Sequence, residues 1–302
     1  RKVLSYSLNN QLGFMVVGIG IGTELSLNGT AAHAFCHILY KALMFMSMGA
    51  VLHRVGTAKA SELGGLYKSM PWTASFCIIG AMSISAFPLF SGFVAKGIIL
   101  YSVAEQGYWL IWLVLLFASA GVLDHSGIKV PFFSFFAHDS GLRCKEAPTN
   151  MLLAMALTAL ACILIGVFPN LLYQYLPYSM EYHPYTFDHV ITQLQLLFFA
   201  ALAFVVLFKN GWYPAEIRSL NLDSDWLYRK PLYALTHSLA RVFSALLDGW
   251  QNVKQTLAHQ VIEQLEQSNG PHSGIARGTS VGNMVIWVAL LLSACLVIYF
   301  LY

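Results

Sequence analysis

The chain has 302 residues, of which 57% are hydrophobic and 10% are charged, and its mean hydropathy is +0.62. Soluble domains carry about 25% charged residues, so the composition excludes an ordinary soluble domain and predicts an all-α polytopic membrane protein. The formal net charge of +3 says little about nucleic acid, and we expect no nucleic-acid partner, because basic residues in a membrane protein first report topology.

The cysteines and the start of the sequence are informative mainly by what they disfavour. Five cysteines are scattered without a CxxC pair, which indicates neither a disulfide framework nor an iron–sulfur site. The sequence begins at Arg1 rather than at a methionine, and no secretory signal pattern precedes the first apolar run. We therefore expect the sequence to be a fragment whose N-terminal part is missing.

Apolar runs predict membrane-spanning helices along the chain, the first at residues 4–22 and the second at residues 31–53. Residues 71–106 are too long for one span of about 20 residues and are interrupted at FPLFSGF, where Pro88 removes a helix hydrogen bond. We interpret this stretch as two short helices around a break, crossing the membrane twice. Further spans are predicted at residues 108–136, with an interruption at DHSGIKVP, and at residues 150–168, 190–208 and 281–302.

An amphipathic helix is predicted between the last two spans, at residues 226–267. Apolar residues recur there at three- and four-residue steps, whereas Arg241, Lys254 and Glu263 lie off that seam. Such a helix lies along the membrane surface. It would reach about 50–60 Å at 1.5 Å per residue, so it rests either on a neighbouring subunit or on its own bundle.

In total we expect about seven transmembrane helices, one of them discontinuous, plus the surface amphipathic helix. The predicted regions are a helix bundle at residues 1–137, additional transmembrane helices at 138–210, the amphipathic region at 211–280 and a C-terminal transmembrane anchor at 281–302. Basic residues predict that the loops after residues 137 and 208 are cytoplasmic. Two crossings within residues 71–106 would place the basic connector before Pro71 outside, against this tendency, and a single crossing would repair it.

Three ionisable residues, His33, His37 and Lys41, form one stripe on the second predicted span. A four-residue step advances about 400° around a helix, so the three side chains fall within roughly 80° of one another. A charge at bilayer depth costs at least about 2.5–3.5 kcal/mol, so Lys41 must face protein or water. Because histidine titrates near neutrality, the stripe could pass protons along the helix.

Other interpretations of this stripe stay open. Lys41 could extend to the membrane interface or pair with an acid, while the histidines bond neighbouring carbonyls. A zinc site of His33, His37 and Cys36 would need further ligands, and nothing nearby has that spacing. Two histidines four residues apart on one helix cannot bind opposite faces of one haem. We therefore expect no metal and no other cofactor.

Two further basic positions are candidates for the same path. Lys96 follows the break at Pro88, and broken helices in membranes expose backbone dipoles and build ion sites, so Lys96 could be a second protonatable lysine. The alternative is an interfacial lysine. Lys129 follows His125 by four residues, which predicts either a third relay station or exit, or an interfacial cluster.

The run HAFCHILYKALMFMSMGAVLH, with ELGGLYKSMP and FPLFSGFVAKGIIL after it, resembles the proton-translocating antiporter family. This family comprises antiporter-like membrane subunits of respiratory complex I and related subunits of Mrp-type cation/proton antiporters. The opening RKVLSYSLNNQLGFM looks like the family's preceding segment, and the resemblance covers about residues 1–107. It implies that Lys41 is the lysine of the central hydrophilic axis, that His33 and His37 are its relay, and that Lys96 lies on the discontinuous helix of a second half-channel.

The resemblance also implies the context of the chain. Family members carry an earlier inverted repeat, so the chain looks like the second half of a subunit of about twice its size. DHSGIKVPFFSFF looks closer to D-type subunits of Mrp-like antiporters, which favours a subunit of a sodium or potassium/proton antiporter in the bacterial inner membrane. Its partners would be other membrane subunits, protons, a monovalent cation and the lipid bilayer.

Two other functions fit the same residues less well. The chain could be a redox-driven pump subunit of an NADH:quinone oxidoreductase that uses the same ionisable residues. No flavin, iron–sulfur or nucleotide motif occurs, so any redox chemistry would belong to other chains. A scaffold that has lost transport is disfavoured by the presence of both Lys41 and Lys96.

Overall fold

The structure is a computed structural model that describes residues 2–213, 224–270 and 281–301. Its contacts separate two units, Arg1–Arg218 and Ser219–Tyr302, and each is described by itself. Within the described residues the regular structure is entirely helical, as the composition predicts. In the part of the chain that the structure describes, five helices are apolar and long enough to cross a membrane: Glu24–Val55, Trp109–Phe136, Thr149–Val167, Phe187–Lys209 and Val281–Leu301.

The first unit begins with α1 (Lys2–Ile21) and the long central helix α2 (Glu24–Val55). Thr23 caps the start of α2 by accepting a hydrogen bond from the Ser26 N–H at 3.2 Å. Gly56 ends it in the left-handed conformation, with φ 81°, which glycine adopts without a steric penalty. Helix α2 packs against α1 and against three later helices, α3 (Pro71–Ile84), α4 (Ser91–Glu105) and α7 (Thr149–Val167).

Helices α3 and α4 follow one another along α2 and run antiparallel to it. A Cβ at Gly80 of α3 would lie 2.8 Å from Met44 Cγ, and one at Gly29 of α2 would lie 2.9 Å from Ile99 Cγ1 of α4. Helix α3 therefore pairs with the C-terminal half of α2, and α4 with its N-terminal half. The two form one discontinuous span, and the prediction of two crossings is wrong.

The lengths of the two half-helices give the physical reason. Helix α3 has 14 residues and α4 has 15. At 1.5 Å per residue each rises only about 21–23 Å, less than the hydrocarbon core of about 30 Å. Neither can cross alone, whereas the pair can. The five long apolar helices and this discontinuous span give six candidate spans among the described residues, and α1, at the first predicted span, is not apolar enough to be counted with them.

After α4 comes a continuous helix, Trp109–Phe136, built from α5 (Trp109–Val122), a π-helical segment (Leu123–Ile128), α6 (Lys129–Pro131) and a second π-helical segment (Phe132–Phe136). The interruption predicted at DHSGIKVP is thus a local widening of the helix rather than a break. The unit ends with α7, the single turn α8 (Asn170–Tyr173) and α9 (Phe187–Lys209).

Loop contacts define the two faces of this unit. The end of α2 and the connector before α3 both meet the loop before α7: Arg54 Nε donates to the Glu146 carbonyl at 2.8 Å, and Lys68 Nζ lies 2.8 Å from Asp139 Oδ2. At the opposite end, Asn28 Nδ2 donates to the Tyr178 carbonyl at 2.7 Å. The basic connector and the basic loop therefore share one face, which removes the conflict with the positive-inside tendency.

The second unit contains the predicted amphipathic helix and the last span. A short turn α10 (Asp225–Leu227) and a π-helical segment (Tyr228–Leu232) lead into α11 (Tyr233–Asn269), and α12 is Val281–Leu301. The apolar residues that recur at three- and four-residue steps along α11 are more than half exposed within the described residues, from Val253 at 52% to Leu246 at 66%. Residues 214–223 and 271–280 of the predicted amphipathic region lie outside the described residues.

Candidate functional site

The predicted stripe on α2 is buried in the centre of the first unit. His33 is 0% exposed, His37 is 7% exposed and Lys41 is 4% exposed. The imidazole rings of His33 and His37 are stacked, with centroids 6.2 Å apart and planes 25° apart. The Tyr40 ring lies 5.5 Å from the ring of His37. Because α1, α3, α4 and α7 surround α2, Lys41 ends inside the protein and not at a membrane interface.

Helix α1 supplies the polar partners of this stripe. The Lys41 ammonium donates to Ser7 Oγ, and the Ser7 hydroxyl donates to the Leu4 carbonyl at 3.0 Å. The Tyr40 hydroxyl donates to Gln11 Oε1 at 3.1 Å. Ser7 and Gln11 are four residues apart on one face of α1, and both are buried. The sequence interpretation missed them, although polar residues at helical spacing in an apolar helix are a usable signal.

Lys96 lies on α4, beside the stripe of His33, His37 and Lys41, and is 1% exposed. Its ammonium donates to the Ile84 carbonyl at 2.6 Å, which is available because α3 ends there. Lys96 Nζ lies 5.4 Å from the centroid of the Phe14 ring, and that ring lies 6.0 Å from the ring of His33. Lys96 is also close enough to His37 and to Lys41 to interact with them electrostatically, so five side chains form one buried row: Lys41, His37, His33, Phe14 and Lys96.

The break that exposes the Ile84 carbonyl is held by specific contacts. Ala86 and Leu89 have φ angles of 56° and 74°, which side-chain-bearing residues rarely adopt. The hydroxyls of Ser83 and Ser91 are 2.8 Å apart and join the two half-helices. A fixed break is what leaves a backbone carbonyl free to hold the lysine in the membrane interior.

The row lacks the static partners that the alternatives require. Among the described residues, no carboxylate forms an ion pair with Lys41 or Lys96. Within the same residues, both ring nitrogens of His33 and the Nε2 of His37 have no hydrogen-bond partner. No three histidine, cysteine, aspartate or glutamate side chains of the described residues cluster as a metal site. The interpretation in which the histidines bond neighbouring carbonyls therefore does not hold for His33 or for the Nε2 of His37 within the described residues.

His125 and Lys129 lie on and beside the π-helical segment Leu123–Ile128, and both are half-buried. His125 Nδ1 lies 2.6 Å from Ser126 Oγ, and Lys129 Nζ lies 5.7 Å from the centroid of the Tyr213 ring. The segment packs against both α1 and α3, and His125 is close enough to Lys41 to interact with it electrostatically. His125 therefore lies near Lys41, and π-helical turns like this one are frequent at functional sites.

The part of the chain that carries the row matches a known protein family. Residues 1–122 match the family described as "NADH:quinone oxidoreductase/Mrp antiporter, TM". The match covers about two fifths of the chain, and that segment is similar to this antiporter family. The resemblance predicted from the motifs is confirmed. The family segment contains His33, His37, Lys41 and Lys96, whereas His125 and Lys129 follow it.

Named relatives include both branches of the family. Hydrogenase-4 component B of Escherichia coli is 29% identical over 190 residues, covering 55% of this chain and 28% of that protein. NADH-ubiquinone oxidoreductase chain 5 of Triticum aestivum is 30% identical over 180 residues, covering 55% and 26%. The D-type subunit of the Na(+)/H(+) antiporter of Alkalihalophilus pseudofirmus is 33% identical over 138 residues, covering 45% and 27%. The chain thus spans less than a third of the length of these relatives.

Two solved structures share the fold over almost the whole chain. The Mrp complex from Dietzia sp. DQ12-45-1b matches 99% of this chain and 31% of its own chain, with a TM-score of 0.58 and 21% identity. The membrane-bound sulfane sulfur reductase, an archaeal respiratory membrane complex, matches 98% and 52%, with a TM-score of 0.56 and 20% identity. Both matched chains belong to membrane complexes.

Proposed function

We propose that the chain is part of the proton-translocating subunit of a multisubunit monovalent cation/proton antiporter. The observation that carries this proposal is the buried row of Lys41, His37, His33 and Lys96, whose two lysines have no acidic partner among the residues that the structure describes. Burying a charge without a counter-ion is expensive, so such lysines are retained for function. The path lies within the predicted bundle of residues 1–137.

The side chains suggest how a proton moves along the row. The Lys41 ammonium passes a proton to the neutral imidazole of His37 and becomes an amine, and His37 then protonates His33. From His33 the proton reaches the amine of Lys96 past the Phe14 ring. Each transfer leaves one neutral donor and one protonated acceptor, so no other reactant is consumed. Two ammonium groups in one buried row repel each other, and protonation of Lys41 therefore favours release from Lys96.

Several features support the antiporter context. One relative is named as the D-type subunit of a Na(+)/H(+) antiporter, and a fold relative is part of an Mrp complex. We propose accordingly that the partners are other membrane subunits, protons and a sodium or potassium ion. We place the protein in the lipid bilayer of the bacterial inner membrane, with His125 and Lys129 as the continuation of the path beyond Lys41.

A second candidate function is the proton-pumping membrane subunit of an NADH:quinone oxidoreductase. The observation that favours it is that several relatives are named NADH-ubiquinone oxidoreductase chain 5. Both candidates use the same row of residues and differ in the energy source that drives it.

The experiment measures proton and sodium flux in vesicles that contain the full-length protein with its partner subunits. Wild type is compared with Lys41→Ala and Lys96→Ala under a sodium gradient or with NADH, and Lys145→Ala in the exposed loop before α7 is the control. Sodium-driven proton movement that both buried-site substitutions abolish supports the antiporter. Movement only with NADH supports the pump, and transport indifferent to both substitutions overturns the proposal.

A further inference from the structure

A cavity of 510 Å³ lies between α4, α5 and the start of α9, on the same face as Tyr178 and away from the basic loops. Exposed Glu181, His183 and Asp188 form its mouth. The family match ends at residue 122, so α9 and the segment before it lie outside the residues for which the family accounts. At about 30 Å³ per molecule, the cavity is roomy enough for many waters.

The inner wall of this cavity reaches the backbone that holds Lys96. Gln193 of α9 lines the cavity and is 5% exposed. Its Nε2 donates to the Ser85 carbonyl at 3.3 Å. The neighbouring carbonyl, that of Ile84, accepts the hydrogen bond from Lys96 at 2.6 Å. Gln193 on the cavity wall and Lys96 in the interior therefore donate hydrogen bonds to adjacent carbonyls of the same break.

His189 lies one helical turn before Gln193, on the same face of α9. Its ring is stacked on Phe93, with centroids 4.4 Å apart and planes 15° apart. Its Nδ1 donates to the Pro184 carbonyl at 2.7 Å. Because a carbonyl can only accept, the neutral ring carries its proton on Nδ1, and this assignment leaves the lone pair on Nε2 available.

Gly97 lets this ring approach α4 next to Lys96. A Cβ at Gly97 would lie 2.6 Å from His189 Cε1, 3.0 Å from His189 Nε2 and 2.7 Å from the Tyr182 hydroxyl. Only a residue without a Cβ allows imidazole and phenol to contact the backbone at that point. The acceptor nitrogen of His189 is thus held against the residue that follows Lys96.

We propose that this cavity is the outer end of the proton path and that His189 is a proton-transfer residue in it. The proposal rests on the proposed function of the row. The Lys96 ammonium releases a proton to cavity water, and His189 Nε2 takes one up, which leaves an amine and an imidazolium. The imidazolium then loses the Nε2 proton to solvent at the mouth, and the original tautomer returns.

Other titratable groups face His189 and bear on any pH dependence of this step. On its own segment these are the mouth residues and two tyrosines, and on α4 there is one tyrosine: Glu181, Tyr182, His183, Tyr185, Asp188 and Tyr101. His183 shares the cavity but is exposed at the mouth, so it serves as the matched control for His189.

The test uses the full-length subunit with its partner subunits in vesicles. Sodium-driven proton flux is measured for His189→Ala, His189→Gln, His183→Ala and Lys96→Ala, each with and without millimolar imidazole in the outer medium. We expect both His189 variants to lose about tenfold or more in flux, as is usual for a lost acid–base group. Imidazole should restore flux in His189→Ala, where the removed ring leaves room, and not in His189→Gln.

The outcomes separate this inference from the proposed function. If Lys96→Ala is inactive but His189→Gln keeps the same proton flux as His183→Ala, the role of His189 is overturned and the proposed function is not. Loss of flux in His189→Ala without rescue by imidazole would show that the ring is only a packing element, and would equally overturn it. Lys96→Ala at the wild-type rate would overturn the proposed function itself.

Discussion

Two groups of basic residues in the same unit are held in opposite ways. On the basic face, Lys68 and Arg143 lie 2.8 and 2.7 Å from Asp139 Oδ2, and these side chains are 38–47% exposed. In the interior, Lys41 and Lys96 are held by a serine hydroxyl and a backbone carbonyl, both neutral. An ion pair fixes a lysine in its charged form, whereas a neutral acceptor allows it to lose its proton. The interior lysines are therefore held in the way that proton transfer requires.

The largest effects should come from substitutions that fix the charge of Lys96. We expect both Lys96→Arg and Lys96→Met to abolish transport, because arginine cannot lose its proton and methionine cannot carry one. Methionine should also raise the free energy of unfolding by about 1 kcal/mol or more, since its side chain has a similar volume and carries no charge to bury. Flux assays and thermal unfolding of the purified complex measure the two effects. Transport retained by Lys96→Arg would show that deprotonation is not required.

A second large effect should follow from closing the gap between the half-helices. A Cβ at Gly92 would lie 2.9 Å from the Ser83 carbonyl carbon and still closer to its oxygen. We expect Gly92→Ala to displace α4 and Lys96, to cost about 1–3 kcal/mol and to remove most of the transport. The control is Gly49→Ala on α2, where no atom lies within 4 Å of the added Cβ. Equal behaviour of the two variants in flux and unfolding assays would contradict the fixed break.

The sequence indicates the row better than it indicates the surroundings of the row. The helical period alone puts His33, His37 and Lys41 on one face, and Pro88 marks the break near Lys96. The single crossing of α3 and α4 depends on how both pair with α2, which local sequence does not encode. The partners of the row are equally non-local, because Ser7 lies 34 residues before Lys41.

A smaller effect should follow from removing the hydroxyl that holds Lys41. Ser7→Ala leaves the buried ammonium without its acceptor, which should cost about 1–3 kcal/mol and slow transport severalfold without abolishing it. Ser75→Ala on α3 is the control, because that hydroxyl is exposed and bonds only the Pro71 carbonyl of its own helix, at 2.9 Å. Indistinguishable unfolding temperatures and fluxes for the two variants would mean that Ser7 does not hold the lysine.

The smallest effect should come from Asp139 on the basic face. Hydrogen bonds from Arg143, Lys68 and the Gly141 N–H hold the pKa of this carboxyl well below its usual range. A depressed pKa contributes stability above the unfolded value of about 3.9, and that contribution disappears as the pH falls through the folded value. We therefore expect Asp139→Asn to lower the unfolding temperature slightly at neutral pH, with no loss of transport.

The pH and salt dependence of that difference provide the measurement. The difference in unfolding temperature between wild type and Asp139→Asn should stay constant down to about pH 5 and shrink below about pH 4. It should also shrink in high salt, because the pairs are exposed and screened. The exposed Glu105→Gln at the end of α4 is the control. A difference that grows on acidification, or a loss of transport, would show that Asp139 belongs with the interior lysines rather than with the surface.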